Sequence, residues 1–174
     1  MRASGQPTTV NNTETLASLP PIIRKGPTWF NNLGQEGSGG SKLFSVSGHV
    51  QRPGNYEVTL GTPFSELLSL AGGLLEGRSL KAVIPGGSSM PVMPAEAIVS
   101  CEMGYDQLQQ AGSMIGSGGV IVMDNTTCMV EALERIALFY FPESCGQCTP
   151  CREGTGWLHR LIHRIRTGAG TPED

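Results

Sequence analysis

The chain has 174 residues, 39% of them apolar and 16% charged, with a formal net charge of −3. That length allows one medium domain or two small ones, and without a polybasic run there is nothing for a nucleic-acid backbone to hold. Apolar runs such as "VIVM" and "IALFYF" fall far short of the roughly 20 residues that span a bilayer, and "MRASGQPTTVNN" has neither the apolar core of a secretory signal nor the charge of a transit peptide.

In chain order, "TVNNTETLASLPPIIRKG" reads as a turn followed by a helix. Asn12 or Thr13 would cap it and Pro20 and Pro21 would limit it. Leu16, Leu19, Ile22 and Ile23 recur at helical spacing. So small a segment cannot bury that stripe alone, so residues 1–33 are expected to close a domain whose earlier part lies upstream. "GQEGSGGS" is expected to be a flexible boundary, giving a linker over residues 34–42.

From Lys42 the pattern turns to strands. "KLFSVSGHV" alternates with a period near two, and "YEVTL" is its returning strand. Between them "QRPGN" suits a type II turn, with Pro second and Gly third. "TPFSELLSLAGG" predicts a helix with Thr62 at the N-cap, Pro63 at the first helical position and Gly72 and Gly73 as its stop. "KAVIPGG" is a third strand, and "SMPVMP" holds a fourth. Hairpin, helix and further strands in this order predict an α+β, β-grasp (ubiquitin-like) unit over residues 43–100.

"GSGGVIVMDN" then reads as a glycine turn and a buried strand, and "TTCMVEALERIALFYF" as a helix capped by Thr126 or Thr127. Met129, Leu133, Ile136 and Tyr140 share one face of it. A second helix is expected over residues 153–167, with a stripe of Trp157, Leu158, Leu161, Ile162 and Ile165.

Between these two helices lies "ESCGQCTPCREGTGW". Five cysteines, three of them in this one loop, are too few and too clustered for a disulfide scaffold, and they fit a reducing compartment. Cys145, Cys148 and Cys151 follow C-x2-C-x2-C. A two-residue gap lets successive thiolates point at one soft or borderline metal, and this run matches the start of C-x2-C-x2-C-x3-C-P. Thr155 stands where the next cysteine would be, so a fourth ligand must come from elsewhere. Gly146 permits unusual backbone angles near a cluster, and Arg152 and the start of the following helix bring positive charge. The competing readings are a zinc site completed by a histidine, with His159 and His163 four apart, and a redox-active or unligated thiol set. Cys101 and Cys128 read as buried small residues. "GSGGV" and "PGGSS" lack the spacing of a nucleotide loop.

Taken together, "GQPTTVNNTETLASLP", "KLFSVSGHVQRPGNYEV", "KAVIPGGSS", "GSGGVIVMDNTTCMV" and "ESCGQCTPCREGTGW" resemble consecutive blocks of the NADH-binding flavoprotein subunits of respiratory complex I, the NADH-quinone oxidoreductase. The resemblance covers nearly the whole chain, and its last block is the most specific.

The resemblance implies the tail of an FMN- and NADH-binding domain over residues 1–33 and an SLBB β-grasp unit over 43–100. It also implies the start of a helical-bundle iron–sulfur domain over 110–174. It makes Cys145, Cys148 and Cys151 ligands of a [4Fe-4S] cluster, and Val10, Asn11 and Asn12 residues that line the flavin. It implies part of an enzyme subunit, in a quinone-reducing translocase, that passes electrons from NADH through FMN to the cluster and on toward quinone. The implied partners are other peripheral-arm subunits, especially the thioredoxin-like [2Fe-2S] subunit and the large iron–sulfur subunit. The implied place is the cytoplasmic face of a bacterial inner membrane, or the matrix face in a eukaryote, without membrane insertion.

The family's glycine-rich NADH/FMN loop has no counterpart here, and its fourth cluster cysteine falls beyond Asp174. The expectation is a fragment that oxidises no NADH by itself. Two other readings stand beside it: a diaphorase subunit of an NAD-linked hydrogenase or formate dehydrogenase, and a non-catalytic β-grasp adaptor with a zinc loop.

Overall fold

A computed structural model describes residues 2–174, which form two compact units, one ending at Val122 and one beginning at Met123. The first unit opens with a small antiparallel pair, β1 (Arg2–Ala3) and β2 (Gln6–Pro7). Helix α1 (Thr13–Lys25) follows. The Asn12 side-chain oxygen accepts hydrogen bonds from the Glu14 and Thr15 N–H groups at 2.8 and 3.3 Å, as an N-cap should. Pro20 and Pro21 do not end this helix but lie inside it. Their rings hold φ near the helical value, so the chain keeps turning while forgoing two backbone donors. The helix stops at Gly26.

After α2 (Pro27–Asn31), the glycine-rich stretch is folded rather than loose. Gln35 and Ser38 exchange both backbone hydrogen bonds, and Gly39 and Gly40 lie against Phe30 and Asn31.

The sheet of this unit has five strands: β3 (Ser41–Gly48), β4 (Gly54–Thr59), β5 (Leu80–Ile84), β6 (Met93–Pro94) and β7 (Gly119–Asp124). Their order is β4-β3-β7-β5-β6. Strands β3 and β4 pair antiparallel from Ser41↔Thr59 to Val46↔Gly54, whereas β3 and β7 run parallel. Helix α3 (Phe64–Leu70) and the short helices α4 (Ala95–Ile98) and α5 (Tyr105–Gln110) complete the unit. The alternation read from the sequence places Phe44 and Val46 inward, in a core with Phe64, Leu67, Val83 and Val120.

Three local expectations change. Gly54 is not in the left-handed region that a type II turn requires; it is the first residue of β4 and pairs with Val46. The left-handed residue is Gly48, at φ +87°, where a Cβ would strike the Val122 carbonyl of β7. Thr62 does not cap α3. Its hydroxyl donates to the Thr59 carbonyl at 2.8 Å, and Pro63 takes the cap position. Strand β7, which the expected bounds put with residues 110–174, sits between β3 and β5.

The second unit holds an antiparallel pair, α6 (Met129–Glu143) and α7 (Thr149–Arg166). Neither Thr126 nor Thr127 caps α6. The Thr126 N–H and hydroxyl both donate to the buried Asp124 carboxylate, and Cys128, which is exposed, holds the cap position. Helix α7 starts four residues earlier than expected because Thr149 and Pro150 are already helical. Ala137, Gly156 and Ile162 are buried, but much of each expected stripe is not: Leu133, Trp157 and Leu158 are all more than half exposed.

Candidate metal centre

Cys145, Cys148 and Cys151 occupy the connection between α6 and the first turn of α7. All three are exposed and none is in a disulfide. Cys148 is the N-cap residue of α7, yet its side chain makes no capping bond. Cys151 lies inside the first turn of the helix, and the Arg152 N–H closes that turn on the Cys148 carbonyl at 2.9 Å. The three cysteines therefore fall along the N-terminal end of an 18-residue helix and the loop that leads into it.

Gly146 makes the approach possible, at φ +74° between the first two cysteines. Two side chains fix the loop. Ser144, at the end of α6, accepts the Gly146 N–H at 3.2 Å, and its hydroxyl donates to the Cys151 sulfur at 3.3 Å. The Arg152 guanidinium donates to the Gly146 carbonyl at 2.8 Å and to the Thr149 hydroxyl at 3.3 Å, and it pairs with Glu153.

Among the described residues, no three His, Cys, Asp or Glu side chains lie close enough together to hold one metal ion, the three loop thiols included. The histidines that a zinc reading needs are elsewhere. His163 lies about twelve residues, or about 18 Å of helix, beyond Cys151. Its Nδ1 is hydrogen-bonded to Glu134 of α6 at 2.6 Å, and its ring stands 6.2 Å from that of His159. Three soft sulfur donors spread along one loop suit the separate irons of an iron–sulfur cluster, each of which takes a different sulfur, better than they suit one ion.

Glu134 is a residue that no pattern in the sequence marks. It is 7% exposed and accepts from both His163 and Arg166 of α7. His163 above all, and Arg166, hold its carboxyl below the usual carboxylate range against the opposing pull of burial. A depressed folded-state pKa stabilises the helix pair in full above the unfolded pKa, and the contribution is lost as pH falls through the folded value. Acid unfolding of the full-length protein, monitored by circular dichroism, should therefore separate wild type from Glu134→Gln at neutral pH. The gap should close below about pH 4, the ordinary carboxylate range. A gap independent of pH would show that the carboxylate charge is not what joins the helices. Only the i, i+3 spacing of His163 and Arg166 hints at a shared partner.

Val10, Asn11 and Asn12 precede α1 on an exposed stretch, with Val10 67% exposed. The Asn12 oxygen is committed to the cap. Asn12 also borders an open cleft of about 690 Å³ that includes Glu14, Lys42 and Tyr105. Glu14 accepts from the Leu43 N–H at 2.9 Å and the Lys42 ammonium at 3.2 Å, tying α1 to β3. Of Val10, Asn11 and Asn12, Asn12 alone lines that cleft. Among the described residues no helix is long and apolar enough to cross a membrane.

Residues 131–174 match the iron–sulfur binding region of NADH-ubiquinone oxidoreductase-F, and residues 43–93 match the SLBB domain. The F-type chain of NADH-quinone oxidoreductase from Rickettsia bellii is 48% identical over 94% of this chain, and a second F-type chain, from Rhizobium meliloti, is 49% identical over 97%. The chain spans 40% of each of these relatives. Among solved structures, the NAD+-reducing [NiFe]-hydrogenase in the air-oxidized state matches 95% of this chain and 28% of its own, at 34% identity and a TM-score of 0.80.

Proposed function

We propose that this chain, homologous over nearly its whole length to the F-type chains of NADH-quinone oxidoreductase, is the segment of such a protein that holds the electron-accepting cluster. Cys145, Cys148 and Cys151 are its ligands toward a [4Fe-4S] cluster, and residues 43–100 are the SLBB unit. The observation that carries this reading is the trio of free thiols along the α7 N-terminus and the loop that leads into it, inside the stretch that matches an iron–sulfur binding region.

When bound, the cluster supplies one-electron transfer between the oxidation of a hydride donor and the next carrier. The protein groups set the terms of that transfer. The α7 terminus and the Arg152 guanidinium offset the negative charge that reduction adds, and the backbone around Gly146 keeps the loop in one shape. Residues 1–33 are assigned to the tail of the FMN- and NADH-binding domain, with Val10, Asn11 and Asn12 against the flavin. No hydride step derives from these three residues alone, and the chain by itself oxidises no NADH. The remaining assignments are quinone as the final acceptor, the thioredoxin-like [2Fe-2S] subunit and the large iron–sulfur subunit as neighbours, and the cytoplasmic or matrix face of the membrane as location. The likeness to the NAD+-reducing hydrogenase keeps a diaphorase role as the second reading.

Arg152→Glu tests the assignment in the assembled, oxygen-free enzyme. NADH should reduce the cluster of the wild type, as seen by electron paramagnetic resonance. In the variant the midpoint potential should fall and the NADH-reduced fraction should shrink. A cluster that NADH cannot reduce, or an unmoved potential, would contradict the assignment.

A further inference from the structure

Ser144 belongs neither to the cysteine run nor to any charge near it, yet its hydroxyl is hydrogen-bonded to one of the three sulfurs. Its backbone ends α6 in extended geometry, with φ −62° and ψ 132°, which turns the side chain back over the loop. The hydroxyl oxygen receives the Gly146 N–H at 3.2 Å, and the Cys151 sulfur lies 3.3 Å away. A serine hydroxyl has one proton to give. With its oxygen engaged by an N–H, that proton is directed at sulfur. The same atom thus holds the left-handed glycine turn and the third thiol of the run, across seven residues of sequence.

We infer that Ser144 is a positioning residue for electron transfer. Its O–H···S hydrogen bond sets Cys151 for ligation and raises the reduction potential of the bound cluster. The inference rests on Cys151 being a cluster ligand. Given that, the physics has a fixed sign. Reduction adds negative charge that is shared with the thiolates, and a donor aimed at a thiolate interacts more strongly with the reduced state than with the oxidised one. Removing it must lower the potential. The bond depends on this position, because Ser144 is where α6 stops and Cys151 is where α7 completes its first turn.

The test compares wild type, Ser144→Ala and Ser144→Thr in the assembled enzyme, prepared without oxygen. Two readouts are taken: the midpoint potential from a paramagnetic-resonance redox titration, and the hyperfine coupling of exchangeable protons to the reduced cluster after transfer to heavy water. Ser144→Ala should have a lower potential and should lack one exchangeable coupling. Ser144→Thr, which keeps the hydroxyl, should restore both. If the alanine variant loses its cluster while the threonine variant keeps it, the hydroxyl is what holds Cys151, and the inference stands. Loss of the cluster in both variants shows packing rather than the hydrogen bond to be responsible, and overturns it. An alanine variant with an intact cluster, an unmoved potential and an unchanged proton coupling also overturns it. A wild type with no iron–sulfur signal is a different failure, since it removes the ligand assignment on which the inference rests.

Discussion

Cys148→Ser should abolish the four-iron cluster of the full-length protein while leaving helix α7 intact. Cys148 sits at the N-cap of α7 with its side chain uncommitted to the helix. Serine is among the best residues for that position, worth about 1 kcal/mol over a residue that cannot cap. The substitution therefore removes a soft thiolate and supplies a helix cap in the same step. A neutral alcohol is a poor substitute for thiolate on iron. Circular dichroism should show helix content equal to that of the wild type, and iron and sulfide analysis should show a three-iron remnant or none. Loss of cluster with loss of helix would mean that the cysteine acts through the fold. Full retention of the four-iron signal would remove Cys148 from the ligand set.

Phe44→Ala should cost about 3–5 kcal/mol of stability, the usual range for emptying a buried phenylalanine site. Phe44 is fully buried on β3, the strand that pairs with β4 on one side and with β7 on the other. Val46, Phe64 and Leu67 are buried in the same core, so truncation leaves a cavity among packed side chains. Denaturant unfolding should show a lower midpoint with an unchanged slope. Phe44→Leu should lose less, because it preserves most of the volume. A loss under about 1 kcal/mol for alanine would mean that β3 is not the centre of this core.

What can be read in advance is local. The thiol run is legible because its ligands are spaced along one short loop, and the α1 cap is legible because Asn12 and its N–H partners lie within three residues. The alternation of β3 reveals its inward face for the same reason. What resists reading depends on partners far apart in sequence. Val120 beside Val46 is a parallel pairing across more than seventy residues, and nothing in "GVIVMD" says which strand it will join. The caps expected at Thr62 and Thr126 fail because each hydroxyl has a competing acceptor. Thr62 takes the Thr59 carbonyl, and Thr126 takes Asp124. Glu134 looks like an ordinary helix-surface carboxylate until His163 and Arg166 come to it from the other helix. Ser144 is invisible for a subtler reason, since a serine beside a cysteine run has no periodicity or charge to mark it.

The helix stripes separate two things that are easily confused. Leu133, Trp157 and Leu158 satisfy the 3.6-residue period but remain in solvent. Periodicity reports that a face is apolar; it does not supply the surface that covers it.

The most direct measurement is the metal content of the full-length protein, purified without oxygen and analysed for iron, acid-labile sulfide and zinc. Iron and sulfide in equal amounts, with a broad visible absorbance that bleaches on reduction, is the result expected of thiolates that hold an electron-carrying cluster. A colourless protein containing zinc, or no metal at all, would contradict it.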